Sequence, residues 1–278
     1  MSFVLSLILA SACSPADANP ARERPRDFTL RDLEVTAFDF AFQAPDTVPA
    51  GLTRVRMKST GPSIHHVQIA RLEGGHTVRQ LVERIEAGEF APSWVTYVGG
   101  PEPVPFSEEG NATVDLAPGN YALICLISSE DHIRHLAKGM VRALTVLPAS
   151  TQPVPSVAEP QADARMVLRD YDFDITPTLK SGRRTIRVEN HAQQPHHAEL
   201  VRMVDGKTLA DLEAWQKSRQ GPQPFDFAGG VTVLTPGQVN FFTVDLVPGN
   251  YLLFCFVPDV KDGKSHVRHG MVRQITID

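Results

Sequence analysis

From residue 28 onward, apolar and polar positions alternate with a period of two through most of the chain, the pattern of strands with one buried face. Phe38, Phe40 and Phe42 alternate with Asp39 and Ala41, and Tyr171, Phe173 and Ile175 alternate with Asp172 and Asp174. A turn at Gly51 or Gly182 leads into 54–57 or 185–188, again alternating, and final strands are predicted over 141–147 and 272–277. Two stretches depart from this period. Residues 77–86 and 208–217 place Leu81, Val82 and Ile85, or Leu209, Leu212 and Trp215, at helical spacing behind a Thr suited to N-capping. Each predicts a short helix that covers a sandwich edge ahead of the next strand.

The elements come in pairs because the chain repeats itself. His65–His66 recurs as His196–His197 after 131 residues, Cys125 as Cys255 after 130, and Met140 as Met271 after 131. Gly51 matches Gly182, Gly99–Gly100 matches Gly229–Gly230, and Val114-Asp115-Leu116 matches Val244-Asp245-Leu246. Register kept over more than a hundred residues indicates a tandem duplication. The expected organisation is a domain over 28–148, a Pro-rich extended linker over 149–164 and a second domain over 165–278. Each domain reads as an all-β sandwich with one helical insertion before its Cys strand.

Composition narrows the function. A length of 278 residues leaves room for two ordinary cores, and a net charge of −5 without a Lys/Arg cluster argues against nucleic acid as a partner. Of the three cysteines, Cys125 and Cys255 fall one per repeat, so neither domain can form its own disulfide. The third, Cys13, follows an apolar run, Phe3 to Leu9, and the small residues Ala10-Ser11-Ala12. That run is too short to span a bilayer and suits a signal segment over 1–13. A Cys directly after small residues resembles a bacterial lipoprotein box, with Cys13 as the lipidation site, and 14–27 then serves as a flexible tether. Plain secretion is the alternative, and both place the protein outside the cytoplasm, in the periplasm or outer envelope.

The chemistry lies in the repeated His, Cys and Met. On strands, His65 shares a face with Val67 and Ile69, and His196 with Ala198 and Leu200, so the first His of each pair is expected to point inward and the second, His66 or His197, to solvent. Cys125 shares a face with Tyr121 and Leu123, and Cys255 with Tyr251 and Leu253. Each Cys is followed by a loop that returns through His-x4-Met: His135 and Met140, or His266 and Met271. His132 and His269 are expected to face solvent. One thiolate, two imidazoles and a thioether form the ligand set of a blue-copper site.

The run Gly-x-Tyr-x-x-x-Cys, then His-x4-Met, with an upstream Asn-x5-His from Asn190 to His196, resembles the cupredoxin family. Ser59 stands where the first repeat would carry that Asn. The resemblance implies two tandem Greek-key β-sandwiches, with copper held by His65, Cys125, His135 and Met140 and again by His196, Cys255, His266 and Met271. It implies one-electron transfer with an unidentified redox partner. The 10 and 11 residues from Cys to the second His exceed the few usual in small cupredoxins. No His flanks either Cys and no His-x-His pair occurs, so the second copper type of an oxidase or nitrite reductase is not expected and the chain does not read as an enzyme. Copper sequestration or delivery, and a metal-free interaction module, are the alternative readings.

Overall fold

The computed structural model describes residues 30–106, 108–149, 158–218 and 220–278. The export segment, Cys13, the 14–27 tether and linker residues 150–157 lie outside the described residues. The first domain pairs β1 (Arg31–Phe38), β2 (Ala41–Gln43), β4 (Gly51–Ser59) and β7 (Glu109–Leu116) in one sheet. Its other sheet holds β3 (Thr47–Pro49), β5 (Gln68–Leu72), β6 (Val95–Gly99), β8 (Gly119–Ile124) and β9 (Val141–Leu147). The second domain repeats the plan with β10 (Ala164–Arg169), β11 (Asp172–Thr176), β12 (Gly182–Asn190) and β15 (Val239–Leu246) facing β13 (His196–Met203), β14 (Phe225–Leu234), β16 (Gly249–Phe254) and β17 (Val272–Ile277). The molecule is all-β apart from α1 (Val78–Glu86), α2 (Leu209–Ser218) and two 3-10 turns.

Alternation does its work between the sheets. In the first domain Leu33, Val35, Val55, Met57, Ile69, Leu116, Tyr121 and Leu123 meet in one buried cluster. In the second, Met166, Leu168, Phe173, Ile186, Val188, Leu200, Phe242 and Leu253 do the same. Each such side chain contributes roughly 1.5–3 kcal/mol of burial. The helices begin where the sequence marks them. Thr77 and Gln80 form a capping box, with Gln80 N–H donating to Thr77 Oγ1 at 3.3 Å and Thr77 N–H donating to Gln80 Oε1 at 2.8 Å. Thr208 N–H donates to Asp211 Oδ2 at 2.9 Å at the corresponding end of α2. Their placement differs from the edge position expected. Leu81 and Ile85 cluster with Leu72, Tyr97 and Ile124, and Leu212 with Met203, Leu252 and Phe254, so each helix covers the outer face of a sheet.

A second difference concerns the aromatic alternation. Phe38 to Phe42 is a hairpin, not one strand: β1 ends at Phe38, Phe40 turns with φ 63°, and β2 begins at Ala41. Tyr171 turns the second copy with φ 67°. Phe38 is accordingly 40% exposed while Phe42 is buried. The turn is so short that alternation carries across it, and periodicity alone is blind to it.

The two sandwiches share their sheets. β15 pairs with β7 through Asn240↔Val114 and Phe241↔Thr113, and β14 with β6 through Leu234↔Val98, so both sheets run through both domains. Buried amides fasten the seam. Gln68 Nε2 donates to Val233 O at 3.1 Å while Val233 N–H donates to Gln68 Oε1 at 2.7 Å, and Asn240 Nδ2 donates to Val98 O at 2.8 Å. The repeated glycine pair belongs here. At Gly99 (φ 89°) a Cβ would lie 2.0 Å from Asn240 Oδ1, and at Gly100 (φ 139°) 2.0 Å from Val67 O.

Candidate metal centres

At one end of each sandwich the predicted residues converge. The donor atoms of His65, Cys125 and His135 lie within 4.8 Å of one another, as do those of His196, Cys255 and His266, and all six residues are buried. In the first site His65 Nδ1 is 3.2 Å from His135 Nδ1, which is 3.5 Å from Cys125 Sγ. In the second, Cys255 Sγ is 3.3 Å from His266 Nδ1 and 3.6 Å from His196 Nδ1. With metal–nitrogen bonds of about 2.0 Å and metal–sulfur bonds of about 2.3 Å, a trigonal ion puts donors about 3.5–3.7 Å apart, close to these edges. The donor set fits copper, up to one ion per domain.

Backbone geometry explains why the spacing recurs. Cys125 N–H donates to Met140 O at 3.2 Å, Leu136 N–H to Cys125 O at 2.9 Å, and Met140 N–H to His135 O at 2.9 Å. The second site repeats all three bonds, with Cys255 to Met271 O at 3.3 Å, Val267 to Cys255 O at 2.8 Å, and Met271 to His266 O at 3.0 Å. His135–Lys138 and His266–His269 are 3-10 turns closed by Gly139 and Gly270 in the left-handed region, at φ 103° and 92°. Met140 and Met271 are fully buried and held beside their cysteines by these bonds. The extra residue of the second loop is taken up near its tip, where Asp259 N–H donates to Lys264 O and Ser129 N–H donates to Ile133 O in the first.

The surroundings suit soft-metal ligation. Burial, reinforced by the neighbouring imidazole, pushes His135 and His266 down to about 4, so both rings are neutral near pH 7. Burial also lowers His65 and His196 and raises both cysteine thiols to about 12. His197 N–H reaches Cys255 Sγ at 3.4 Å, a bond that favours the thiolate. The first His of each site is oriented from behind: His65 Nε2 lies 3.2 Å from Asp39 Oδ1 and His196 Nε2 3.0 Å from Asp170 Oδ1. A carboxylate there fixes the proton on Nε2 and leaves Nδ1 free to ligate.

Sequence reasoning missed Asp39 and Asp170, which sit on the unrecognised hairpin turns. Their common offset of 131 residues is the signal that could have found them. His132 and His269 are exposed, as expected. His66 and His197 are not the solvent-facing residues expected: both are buried, and Glu102 of the first domain meets both rings, reaching His197 across the domain seam.

No family model matches the chain, and no curated protein is similar to it. Among solved structures it is similar to reduced auracyanin from the photosynthetic bacterium Roseiflexus castenholzii, at 18% identity over 41% of this chain and 94% of that one, with a TM-score of 0.30. An azurin from Methylomonas sp. strain J gives 11% identity over 43% and 98%, with a TM-score of 0.30. The copper-containing nitrite reductase of Thermus scotoductus gives 10% over 90% and 62%, with a TM-score of 0.26. The chain's own fold and site define its class: two tandem cupredoxin-like sandwiches, each presenting a buried His2Cys set beside a buried Met.

Proposed function

We propose that this protein is a two-site blue-copper electron carrier, with one copper held by His65, Cys125, His135 and Met140 and another by His196, Cys255, His266 and Met271. The observation that carries this reading is the duplicated, buried convergence of two Nδ1 atoms and one Sγ. Bound copper supplies a one-electron couple. The protein supplies a rigid, water-poor cage whose backbone bonds fix the donors in both oxidation states, which suits outer-sphere transfer. Ile124, Leu126, Phe254 and Phe256 flank the cysteines, so neither Cys strand leads an imidazole towards a second type of copper. That favours electron carriage over oxidation or nitrite reduction. The reading includes export, attachment to the cell envelope through a lipid on Cys13, and a redox protein as partner.

The test is a copper titration of the fragment starting after Cys13, followed by visible absorption and electron paramagnetic resonance. An intense thiolate-to-copper band with two coppers per chain is expected. Uptake of Cu(I) alone with free exchange contradicts electron carriage and points to storage or delivery. No uptake in either oxidation state leaves an interaction module.

A further inference from the structure

His66 and His197 occupy equivalent positions in the repeat, and the fold brings both to the domain seam. The Nε2 of each ring accepts a hydrogen bond from the residue directly after its own domain's cysteine: Leu126 N–H at 2.9 Å for His66, Phe256 N–H at 2.6 Å for His197. A ring nitrogen that accepts carries no proton, so each neutral imidazole bears its proton on Nδ1. Both Nδ1 atoms face one carboxylate. Glu102 accepts from His66 through Oε2 at 3.2 Å and from His197 through Oε1 at 2.7 Å.

Glu102 comes from the first domain, between β6 and β7, and is 2% exposed. Its counterpart in the repeat is Thr232, which bonds Val67 O and Gly100 O, so a single carboxylate serves both histidines. Burial alone would push the Glu102 carboxyl up; the two imidazoles outweigh it and hold the group below its ordinary range. Glu199 lies close by, with donor atoms of Glu102, His197 and Glu199 within 4.8 Å. A cation there would have to displace Nδ1 protons that Glu102 already accepts. Hydrogen bonds from the two imidazoles occupy both oxygens of Glu102.

The result is an unbroken path of covalent and hydrogen bonds from Cys125 through Leu126 N–H, His66, Glu102, His197 and Phe256 N–H to Cys255. We propose that His66, Glu102 and His197 form a relay that couples the two copper sites and carries an electron between them. The inference rests on the two-site reading above. One electron passes from the reduced site to the oxidised one, no bond forms or breaks, and the Nδ1 protons stay on their rings. No further reactant is needed. All three are positioning residues: none is among the predicted ligands.

The test reduces the doubly copper-loaded full chain with less than one electron per molecule in a short pulse and follows the visible spectrum. A relaxation phase independent of protein concentration is expected. Glu102→Gln turns one of the two carboxylate contacts into opposed donors and is expected to slow that phase about tenfold. Glu102→Asp, which keeps the charge but is too short to reach both rings, is expected to slow it as well. Glu199→Gln leaves it unchanged. In the metal-free protein, the imidazole N–H proton resonances assigned to Nδ1 of His66 and His197 are expected to be exchange-protected, with at least one lost in Glu102→Gln. Copper number and band intensity are read in every variant, so the two ideas fail separately. A wild type without the band overturns both. Two normal blue sites with a rate indifferent to Glu102→Gln and Glu102→Asp overturn the relay alone, as does a third metal ion that binds wild type and not Glu102→Gln.

Discussion

The two centres share a backbone and differ in what stands behind the second histidine. In the first domain Phe40 lies edge-on to His135 with ring centres 5.2 Å apart, and the buried Ser129 Oγ has no hydrogen-bond partner. In the second domain the same positions are Tyr171 and Asp259. Tyr171 Oη donates to Asp259 Oδ2 at 2.5 Å, Gln194 Nε2 donates to the same oxygen at 2.9 Å, and that oxygen lies 3.7 Å from His266 Nε2. The Tyr171 hydroxyl and Gln194 amide hold the Asp259 carboxyl far below its ordinary range, so it stays charged. Both sites keep a carboxylate behind the first histidine, but beside the second one site has an aromatic edge and an uncharged hydroxyl and the other an anion. Duplication preserved the ligand geometry and left the electrostatics free to diverge. With copper bound, a nearby anion would favour Cu(II) over Cu(I), so the second site is expected to have the lower potential.

The comparison can be broken most completely at the sulfurs. Cys125→Ala and Cys255→Ala are each expected to remove one copper and its share of the visible band while leaving the other site intact. The double variant should be colourless, and a chromophore surviving it would refute the thiolate assignment. Asp259→Asn tests the electrostatic difference itself. A unit charge about 7 Å from the metal at an effective dielectric of about 20 is worth about 2.4 kcal/mol, or about 100 mV for one electron. The second site's potential should rise by roughly that much and the first site's should not move, as read by redox titration.

Stability provides smaller contrasts. Asn190 ties the histidine loop of the second domain: its Nδ2 donates to Gln194 O at 3.0 Å and Leu234 O at 2.7 Å, and its Oδ1 accepts from Ala192 N–H at 2.9 Å. Asn190→Ala leaves buried partners unpaired and should cost about 2 kcal/mol, whereas Ser59→Ala at the equivalent position should stay within about 0.5 kcal/mol in denaturant titrations. Glu189 provides the pH contrast. It binds Arg165 at 2.7 and 2.6 Å, Arg187 at 2.7 Å and His191 at 2.8 Å, while the equivalent Lys58 is exposed. Arg165, against the cost of burial, lowers the Glu189 carboxyl from 4.5 to about 2. A depressed folded-state value adds stability above the unfolded value and loses it as pH falls from 4.5 towards 2. Glu189→Gln should remove about 1–2 kcal/mol at pH 7 and flatten that acid limb, as followed by thermal melts across pH.

The ligands were legible because they are local: Gly-x-Tyr-x-x-x-Cys and His-x4-Met are consequences of one strand and one closed turn. The duplication then made each position vouch for its copy. Asp39 and Asp170 escaped because a two-residue turn preserves alternation while reversing the chain. His66 and His197 were assigned to solvent by the same alternation, which was sound for a lone sandwich. Glu102 meets both, reaching His197 from the other domain and His66 from a distant loop of its own, and no period within one repeat records those contacts. Glu102, set among Pro101, Pro103 and Pro105, carries a loop-like local pattern; only the seam makes it a shared acceptor.

The most direct test of this account is a spectroelectrochemical titration of the doubly copper-loaded protein, with the steps assigned through Cys125→Ala and Cys255→Ala. The account predicts two one-electron steps in the thiolate–copper band, the lower belonging to the site of Cys255. A single potential shared by both sites, or a higher potential at Cys255, would contradict the divergence argued from Asp259. A protein without the band would contradict the copper assignment itself.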